Sequence, residues 1–225
     1  MKPNNSLAFF EHLKAETEAT WAKVAPDDPF ASAAPGSKWL PGLSEEELQA
    51  FEKEMGFSFP EPLRNFYRTM NGLDRPYINT DEDGNTWESY RIYSYPRDID
   101  RIHSKIEWIY DSCRITPAIA KARGISRIFP VWSHRFMMID EPGHPMLSMH
   151  GNDIVLYAFT LAEICKIDLG STHGLRRHGE PNVRFWYPGW RKNPKMPKRR
   201  RRIGVMTKWL RVMKKKVLLQ HRAMG

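Results

Sequence analysis

The chain has 225 residues, of which 41% are hydrophobic and 12% aromatic, and this content supports a packed core and excludes a wholly disordered protein. Two cysteines, Cys113 and Cys165, exclude a disulfide scaffold and a four-cysteine zinc site. The formal net charge of +9 by itself favours nucleic acid or an anionic membrane as a partner. However, residues 181–225 hold 15 Lys and Arg side chains and no acidic one, which leaves residues 1–180 with a formal charge of −6. The basic character therefore belongs to the C-terminal tail.

The sequence divides into three segments. Residues 1–38 predict a helix and a loop rich in Pro and Ala, residues 39–180 predict the main domain, and residues 181–225 form the basic tail. No stretch of 18 uncharged apolar residues occurs, and the first apolar run is too short for a signal peptide. We therefore expect a cytosolic protein whose thiols are reduced.

The first predicted elements are two helices with clear boundaries. Residues 6–24 predict a helix with Ser6 as its N-cap, and residues 25–41 predict a loop. A second helix follows Ser44, because Ser44 and Glu47 have the spacing of a capping box.

The second helix is expected to end at Gly56, which favours the left-handed conformation of a helix C-terminus. An extended link leads to Pro60, and a third helix begins near Pro62, since proline is preferred in the first turn. Asn71 and Gly72 are expected to end this helix.

The middle of the chain is less regular. Residues 73–86 predict a polar loop, residues 91–93 a short strand, and residues 97–111 a helix with isoleucines along one side.

After Gly124 the pattern indicates strands. Residues 127–139 predict a strand interrupted at Pro130, and residues 145–150 and 153–159 predict a hairpin closed by a two-residue loop. A short helix capped by Thr160 follows, and residues 203–219 predict a basic amphipathic helix in the tail. The predicted fold class is α+β.

Several of these motifs occur in the order and spacing of a known family. The first half contains Gly42-Leu43-Ser44-Glu45-Glu46-Glu47, Gly56, Phe59-Pro60, Leu63-Arg64 and Asn71-Gly72. The second half contains Ile128-Phe129-Pro130-Val131, Ser133-His134-Arg135, Pro145-Met146-Leu147-Ser148 and Asp153-Ile154-Val155-Leu156-Tyr157. Over residues 39–168 the chain resembles the SUKH superfamily, the Smi/Knr-type domain of bacterial toxin-immunity proteins and fungal cell-wall regulators.

The resemblance implies a single α+β domain with a mixed or antiparallel sheet flanked by helices. It also implies a non-catalytic protein-binding module, often one that neutralises a cognate toxin, without a cofactor. Residues 1–38 and the tail have no counterpart in it. The residues of the family pattern with an expected structural role are Ser44, Gly56, Pro60, Asn71, Gly72, Pro130 and Asp153.

Catalytic and metal sites are not favoured by the remaining motifs. The sequence contains no phosphate-binding glycine loop, zinc-protease motif or nucleophile-elbow motif. Ser133 and His134 are adjacent, and neighbours on a strand point to opposite faces, so we expect no nucleophile–base pair. Two groups offer metal ligands, but strand ends and a solvated loop explain them more simply: His134, His144, His150 and Asp153, and Asp81, Asp83 and Asn85.

The expected partner is a protein, and the acidic main domain suits a toxin with a basic surface, such as a nuclease. Candidate contacts on predicted loops are Glu82, Asp83, Glu88, Asp140 and Glu141. The alternative is nucleic-acid or anionic-membrane binding through the tail alone. Its candidate residues are Arg199, Arg200, Arg201, Arg202, Lys208, Arg211 and Lys215. The aromatic segment 185–190 is either a stacking platform for nucleic acid or packs back on the domain.

Overall fold

The computed structural model describes residues 3–25, 32–80, 83–169, 183 and 185–186, and all of them lie in one compact unit, residues 1–189. No helix in these ranges is long and apolar enough to cross a membrane. The helices are α1 (Leu7–Trp21), α2 (Glu45–Met55), α3 (Glu61–Thr69), α4 (Ile99–Ser112), α5 (Pro117–Ala122) and α6 (Leu161–Asp168). The strands are β1 (Trp39–Pro41), β2 (Met70–Leu73), β3 (Tyr77–Thr80), β4 (Thr86–Ser89), β5 (Ile128–Trp132), β6 (Arg135–Met138), β7 (Met146–His150) and β8 (Asp153–Ala158).

The centre of the domain is a four-stranded antiparallel meander in the order β5-β6-β7-β8. Two further antiparallel pairs, β1 with β2 and β3 with β4, lie outside this sheet. Every strand pairing of the described residues is antiparallel, and helices flank the sheet, so the predicted α+β class is confirmed. The predicted helix over residues 203–219 lies outside the described residues.

Both faces of the meander are covered. Phe129, Val131 and Met137 belong to the main core beneath α1, α2, α3 and α6, whereas Ile128 and Phe136 belong to a second core beneath α4 and α5. Because successive strand residues point to opposite faces, the two cores divide alternate side chains between them. This explains why all five residues of β5 are buried.

The N-terminal helix α1 is part of the main core. Phe9, Phe10 and Leu13 are fully buried, and the Phe10 ring packs edge-on against Phe66 of α3. Leu7, in the first turn of the same helix, is 43% exposed.

Two contacts join α1 and the segment before it to the last described helix, α6. Asn5 Oδ1 accepts a hydrogen bond from the Ala162 backbone N–H at 3.0 Å, and the Lys166 ammonium pairs with the Glu16 carboxylate. The N-terminal segment is thereby joined to a helix that follows it by 150 residues or more along the chain.

The capping box of α2 is present as the sequence predicts. The Ser44 hydroxyl accepts from the Glu47 N–H at 3.2 Å, and the Glu47 carboxylate accepts from the Ser44 N–H at 2.8 Å. Gly56 ends α2 with a left-handed φ of 76°. Pro60 is the N-cap position of α3, and Asp153 begins β8 opposite His150, so that Gly151 and Asn152 form the predicted two-residue hairpin loop.

Three predictions of element boundaries are wrong. Asn71 and Gly72 do not end α3 in a turn but lie inside strand β2, because Met70 already leaves the helical conformation. Pro130 does not interrupt a strand: it lies within β5, an edge strand of the meander, where a missing N–H is tolerated. The predicted strand over residues 127–139 is broken instead at Ser133 and His134, which form the turn between β5 and β6.

Residues 73–86 are not simply a loop. They contain β3, and together with β4 they form a two-stranded ribbon, which we call the β3–β4 ribbon (residues 77–80 and 86–89). The sequence also misses α5, which Thr116 caps through its hydroxyl.

Candidate functional site

The β3–β4 ribbon carries large apolar side chains exposed on both faces. Ile78 is 61% exposed and Trp87 is 51% exposed. Ile78 pairs with Glu88, and Asn79 pairs with Trp87, so Ile78 and Trp87 point to opposite faces of the ribbon. Exposed tryptophan and isoleucine side chains of this kind are typical of a contact surface for another molecule.

Side-chain contacts hold the base of the ribbon. The Asn79 amide nitrogen donates to the Ser89 hydroxyl at 2.8 Å and to the Trp87 carbonyl at 3.2 Å. The Arg91 guanidinium stacks on the Tyr77 ring, 3.5 Å from its centre. These contacts span both strands, so the ribbon is formed before any partner binds.

The predicted acidic contacts do not form one cluster. Asp83 lies in the loop that joins β3 to β4, and Glu88 lies within β4 rather than on the predicted loop; both are exposed. Glu82 lies outside the described residues. Asp140 and Glu141 come after the C-terminal end of β6. They therefore lie at the opposite end of this strand from the β5–β6 turn.

Asp140 already has a cationic partner. Its carboxylate accepts hydrogen bonds from the Arg127 backbone N–H at 2.8 Å and from the Arg127 guanidinium. The hydrogen bond from the Arg127 side chain lowers the pKa of Asp140. A partner would have to compete with this ion pair, so Asp140 is a weaker candidate than Glu88.

The sequence contains a signal for the β3–β4 ribbon. Asp83 and Gly84 are a common hairpin turn pair, and the flanking residues Tyr77, Ile78 and Trp87 favour strands. Because residues 73–86 are mostly polar, they were predicted as a loop and not as a hairpin. Ile78 and Trp87 were therefore not predicted as site residues.

Ser133 and His134 do contact each other, which corrects the expectation drawn from strand geometry. Ser133 Oγ and His134 Nδ1 are 3.1 Å apart, because the two residues form a tight turn and not a strand. Ser133 has a φ of 48°, a left-handed conformation that residues with a side chain rarely adopt.

The surroundings of His134 do not favour activation of the serine. Burial, followed by the nearby Arg135 charge, lowers the pKa of His134 to about 4. A histidine with this pKa is a weak base near neutral pH, and a general base is most effective when its pKa lies near the working pH.

The four residues considered as metal ligands have different surroundings. The His144 ring nitrogen Nδ1 lies 3.1 Å from the Ile139 carbonyl oxygen, the His150 ring packs edge-on against Trp108, and Asp153 pairs with His150 across the hairpin. Over residues 3–25, 32–80 and 83–169, no group of three or more His, Cys, Asp or Glu side chains is arranged to hold a metal ion.

Two described residues of the tail, Val183 and Trp186, pack against the domain. Trp186 is 3% exposed, stacks on Tyr110 of α4 and donates from its indole N–H to the Ser126 carbonyl at 2.8 Å. Val183 is also buried in the second core, whereas Phe185 is 41% exposed. The seven tail residues predicted to bind anions, Arg199 to Arg202, Lys208, Arg211 and Lys215, lie outside the described residues.

In the described residues, the fold defines an α+β domain in which five helices, α1 to α5, precede a four-stranded antiparallel meander, and α6 follows it. The family model described as SMI1 / KNR4 family (SUKH-1) matches residues 42–195, and the chain belongs to this family. This confirms the SUKH resemblance seen in the sequence. Domains of this family are in general immunity-type or related regulatory modules, and the family is generally non-catalytic. Comparisons with curated proteins and with solved structures gave no match.

Proposed function

We propose that this protein is an immunity-type module that binds a cognate toxin domain and thereby neutralises it. Membership of the SMI1 / KNR4 family is the observation that carries the proposal, because domains of this kind act by binding proteins. The partner is a toxin domain with a basic surface, since residues 1–180 have a formal charge of −6.

The β3–β4 ribbon is the proposed contact surface. Trp87 and Ile78 supply apolar area on its two faces, and Glu88 and Asp83 supply negative charge beside it. Tryptophan is enriched among the residues that dominate binding energy. A ribbon that is already formed also lowers the entropic cost of association.

The first experiment is co-expression with the toxin domain encoded beside the gene of this protein. We expect restored growth and co-purification of the two chains. If no toxin domain is encoded there, or if the protein neither restores growth nor co-purifies, the proposal is wrong.

A second experiment locates the surface. Trp87→Ala is expected to weaken binding of that toxin domain by about 30-fold or more, the range of an interface hot spot. Val155→Ala, at a side chain of β8 that is 48% exposed, is the matched control and should bind within about twofold of the unmodified protein. Equal binding by Trp87→Ala and Val155→Ala would place the surface elsewhere.

A second candidate function is nucleic-acid or anionic-membrane binding through the tail. It is supported by the 15 basic and no acidic residues of segment 181–225. Deleting residues 191–225 should then abolish retention of nucleic acid or of vesicles that contain anionic lipid. Unchanged retention of both would remove this candidate.

A further inference from the structure

A cleft of about 580 Å³ opens between the base of the β3–β4 ribbon, helix α4, the β5–β6 turn and the end of α6. We call it the basic cleft, because its lining includes four cationic side chains, Arg91, Arg101, Lys105 and Arg135, beside Ser133 and His134. Its volume is within the usual range for small-molecule sites. The cleft is separate from the exposed side chains proposed to bind a toxin.

The only acidic side chain among the described lining residues is Asp168, and its oxygens are already occupied. Asp168 Oδ2 accepts from Trp132 Nε1 and from Arg135 Nε, both at 3.1 Å, and Oδ1 accepts from the Tyr157 hydroxyl at 2.5 Å. Asp168 therefore offsets the charge of Arg135. No other acidic side chain in the described lining can offset the charges of Arg91, Arg101 and Lys105.

Of these three cations, Arg101 has a carboxylate neighbour behind the cleft wall. Its guanidinium donates to Asp98 at 3.1 Å, and Asp98 is shared with Arg97. Lys105 has no carboxylate within salt-bridge distance among the described residues; its ammonium lies 4.9 Å from the centre of the Trp108 ring.

Lys105 is also close to other positive groups. Burial, followed by the charge of Arg101 one helical turn away, lowers the pKa of Lys105. The positive charge of Lys105 is also among the causes that lower the pKa of His134. Like charges held together in a half-buried site are unfavourable, and a bound anion would relieve this repulsion.

The turn at the mouth of the cleft adds a neutral hydrogen-bond donor. Because the pKa of His134 is about 4, its ring is neutral near pH 7. If the Ser133 hydroxyl donates to His134 Nδ1, then Nε2 carries the ring proton; if Nδ1 donates instead, the hydroxyl proton is free. In either arrangement the pair retains one donor for a ligand.

We propose that the basic cleft binds a phosphate group, with Lys105 and Arg101 as its cationic contacts and the Ser133–His134 pair as an additional donor. A phosphate group carries close to two negative charges and three acceptor oxygens, which suits a cleft whose described lining holds four cations and one acidic side chain better than a single carboxylate does. The source of the group is either free phosphate or a small phosphorylated metabolite.

The experiment is a titration of the full chain with inorganic phosphate near pH 7, with ionic strength held constant by sodium chloride. The readout is the NMR signal of the His134 ring, assigned by its loss in His134→Gln, because His134 is one of the residues that line the cleft. We expect a saturable shift of this signal. A parallel titration with a nucleoside monophosphate distinguishes the two sources, since tighter binding indicates a metabolite and weaker binding indicates free phosphate.

Lys105→Gln tests the assigned contact and retains much of the side-chain length. It should raise the dissociation constant for phosphate about tenfold, as expected for loss of a charge-assisted hydrogen bond. Lys23→Gln, at an exposed lysine outside the cleft, is the control and should leave the titration unchanged. Circular dichroism checks that both variants are folded. The proposal is overturned if the His134 signal does not respond saturably, if chloride alone reproduces the shift, or if Lys105→Gln binds phosphate as Lys23→Gln does.

Discussion

The side-chain amide of Asn71 pairs with both backbone groups of Tyr95. Asn71 Nδ2 donates to the Tyr95 carbonyl at 2.6 Å, and the Tyr95 N–H donates to Asn71 Oδ1 at 2.9 Å. The amide thus makes the two hydrogen bonds that a neighbouring strand would make. It fixes the segment before α4 against β2, where Asn71 is 6% exposed.

Asn71→Ala should therefore destabilise the domain by about 2 kcal/mol, because both backbone groups of the partly buried Tyr95 lose their partner. The measurement is the free energy of unfolding from urea denaturation. Gln49→Ala, on the exposed side of α2, is the control and should change this free energy by less than about 0.5 kcal/mol. Equal losses in the two variants would mean that the pairing contributes nothing specific.

Two glycines of the family pattern should differ in their tolerance of alanine. A Cβ at Gly42 would lie 1.8 Å from the Arg68 carbonyl oxygen, which is backbone and cannot move aside, whereas a Cβ at Gly56 meets nothing within 4 Å. Gly42→Ala should cost about 3 kcal/mol or more, and Gly56→Ala about 1 kcal/mol for its left-handed φ. Thermal unfolding of both variants shows which one is less stable. A larger loss of stability in Gly56→Ala than in Gly42→Ala would contradict the close approach of Gly42 to Arg68.

The decrease in the free energy of unfolding at acidic pH should depend on Glu45. Hydrogen bonds from Arg68 and Arg64 lower the pKa of Glu45 to about 2, below the ordinary value of 4.5. The unfolded chain then binds more protons than the folded one between these values, so the contribution of Glu45 is present above about pH 4.5 and is lost as the pH falls towards about 2. Glu45→Gln should make the loss of stability over this interval shallower.

The control for Glu45 is Glu11→Gln, which removes an exposed carboxylate that has no ion pair among the described residues. Urea denaturation at several pH values compares the two slopes. An identical slope in Glu45→Gln and in the unmodified protein would show that the Arg64 and Arg68 contacts do not persist in solution.

Trp186 and Phe185 are adjacent and form a matched pair. Trp186 stacks on Tyr110 and is almost fully buried, whereas Phe185 is 41% exposed. Trp186→Ala should cost about 3 kcal/mol, the usual effect of removing a buried aromatic ring, and Phe185→Ala less than about 1 kcal/mol. The measurement is the free energy of unfolding of each variant. Similar losses in Trp186→Ala and Phe185→Ala would mean that Trp186 is not part of the second core.

His134 should remain neutral over most of the accessible pH range. Its NMR titration is expected to give a pKa of about 4, because burial disfavours the charged ring and Arg135 and Lys105 repel it. Lys105→Gln removes one of these charges and should raise that pKa. A midpoint near the ordinary value of 6.5 would show that the turn is open to water.

Local patterns predicted the helices well because capping depends on neighbours in sequence. Ser44, Glu47 and Gly56 define both ends of α2 with side chains and backbone of the helix itself. The Gly151 and Asn152 hairpin loop was equally predictable, since a two-residue turn fixes its own register.

The strands were harder because their burial depends on the rest of the fold. In β5 both faces are covered, so its sequence shows no alternation and did not reveal that the strand ends before Ser133. The β3–β4 ribbon has the opposite character, since β4 is largely exposed on both faces. The basic cleft could not be predicted either, because Arg91, Lys105 and His134 come from three separate segments that only the tertiary fold brings together.

The attachment of the N-terminal segment to α6 has a consequence for how the chain folds during synthesis. The Asn5–Ala162 hydrogen bond and the Glu16–Lys166 ion pair join α1 and the residues before it to α6, the last helix of the described residues, which is synthesised much later. Contacts between such distant residues carry a high loop-closure cost and are characteristic of slow folding. The contacts of the N-terminal segment with α6 therefore cannot form until residue 168 has left the ribosome, whereas the packing of Phe10 on Phe66 of α3 needs no residue of α6.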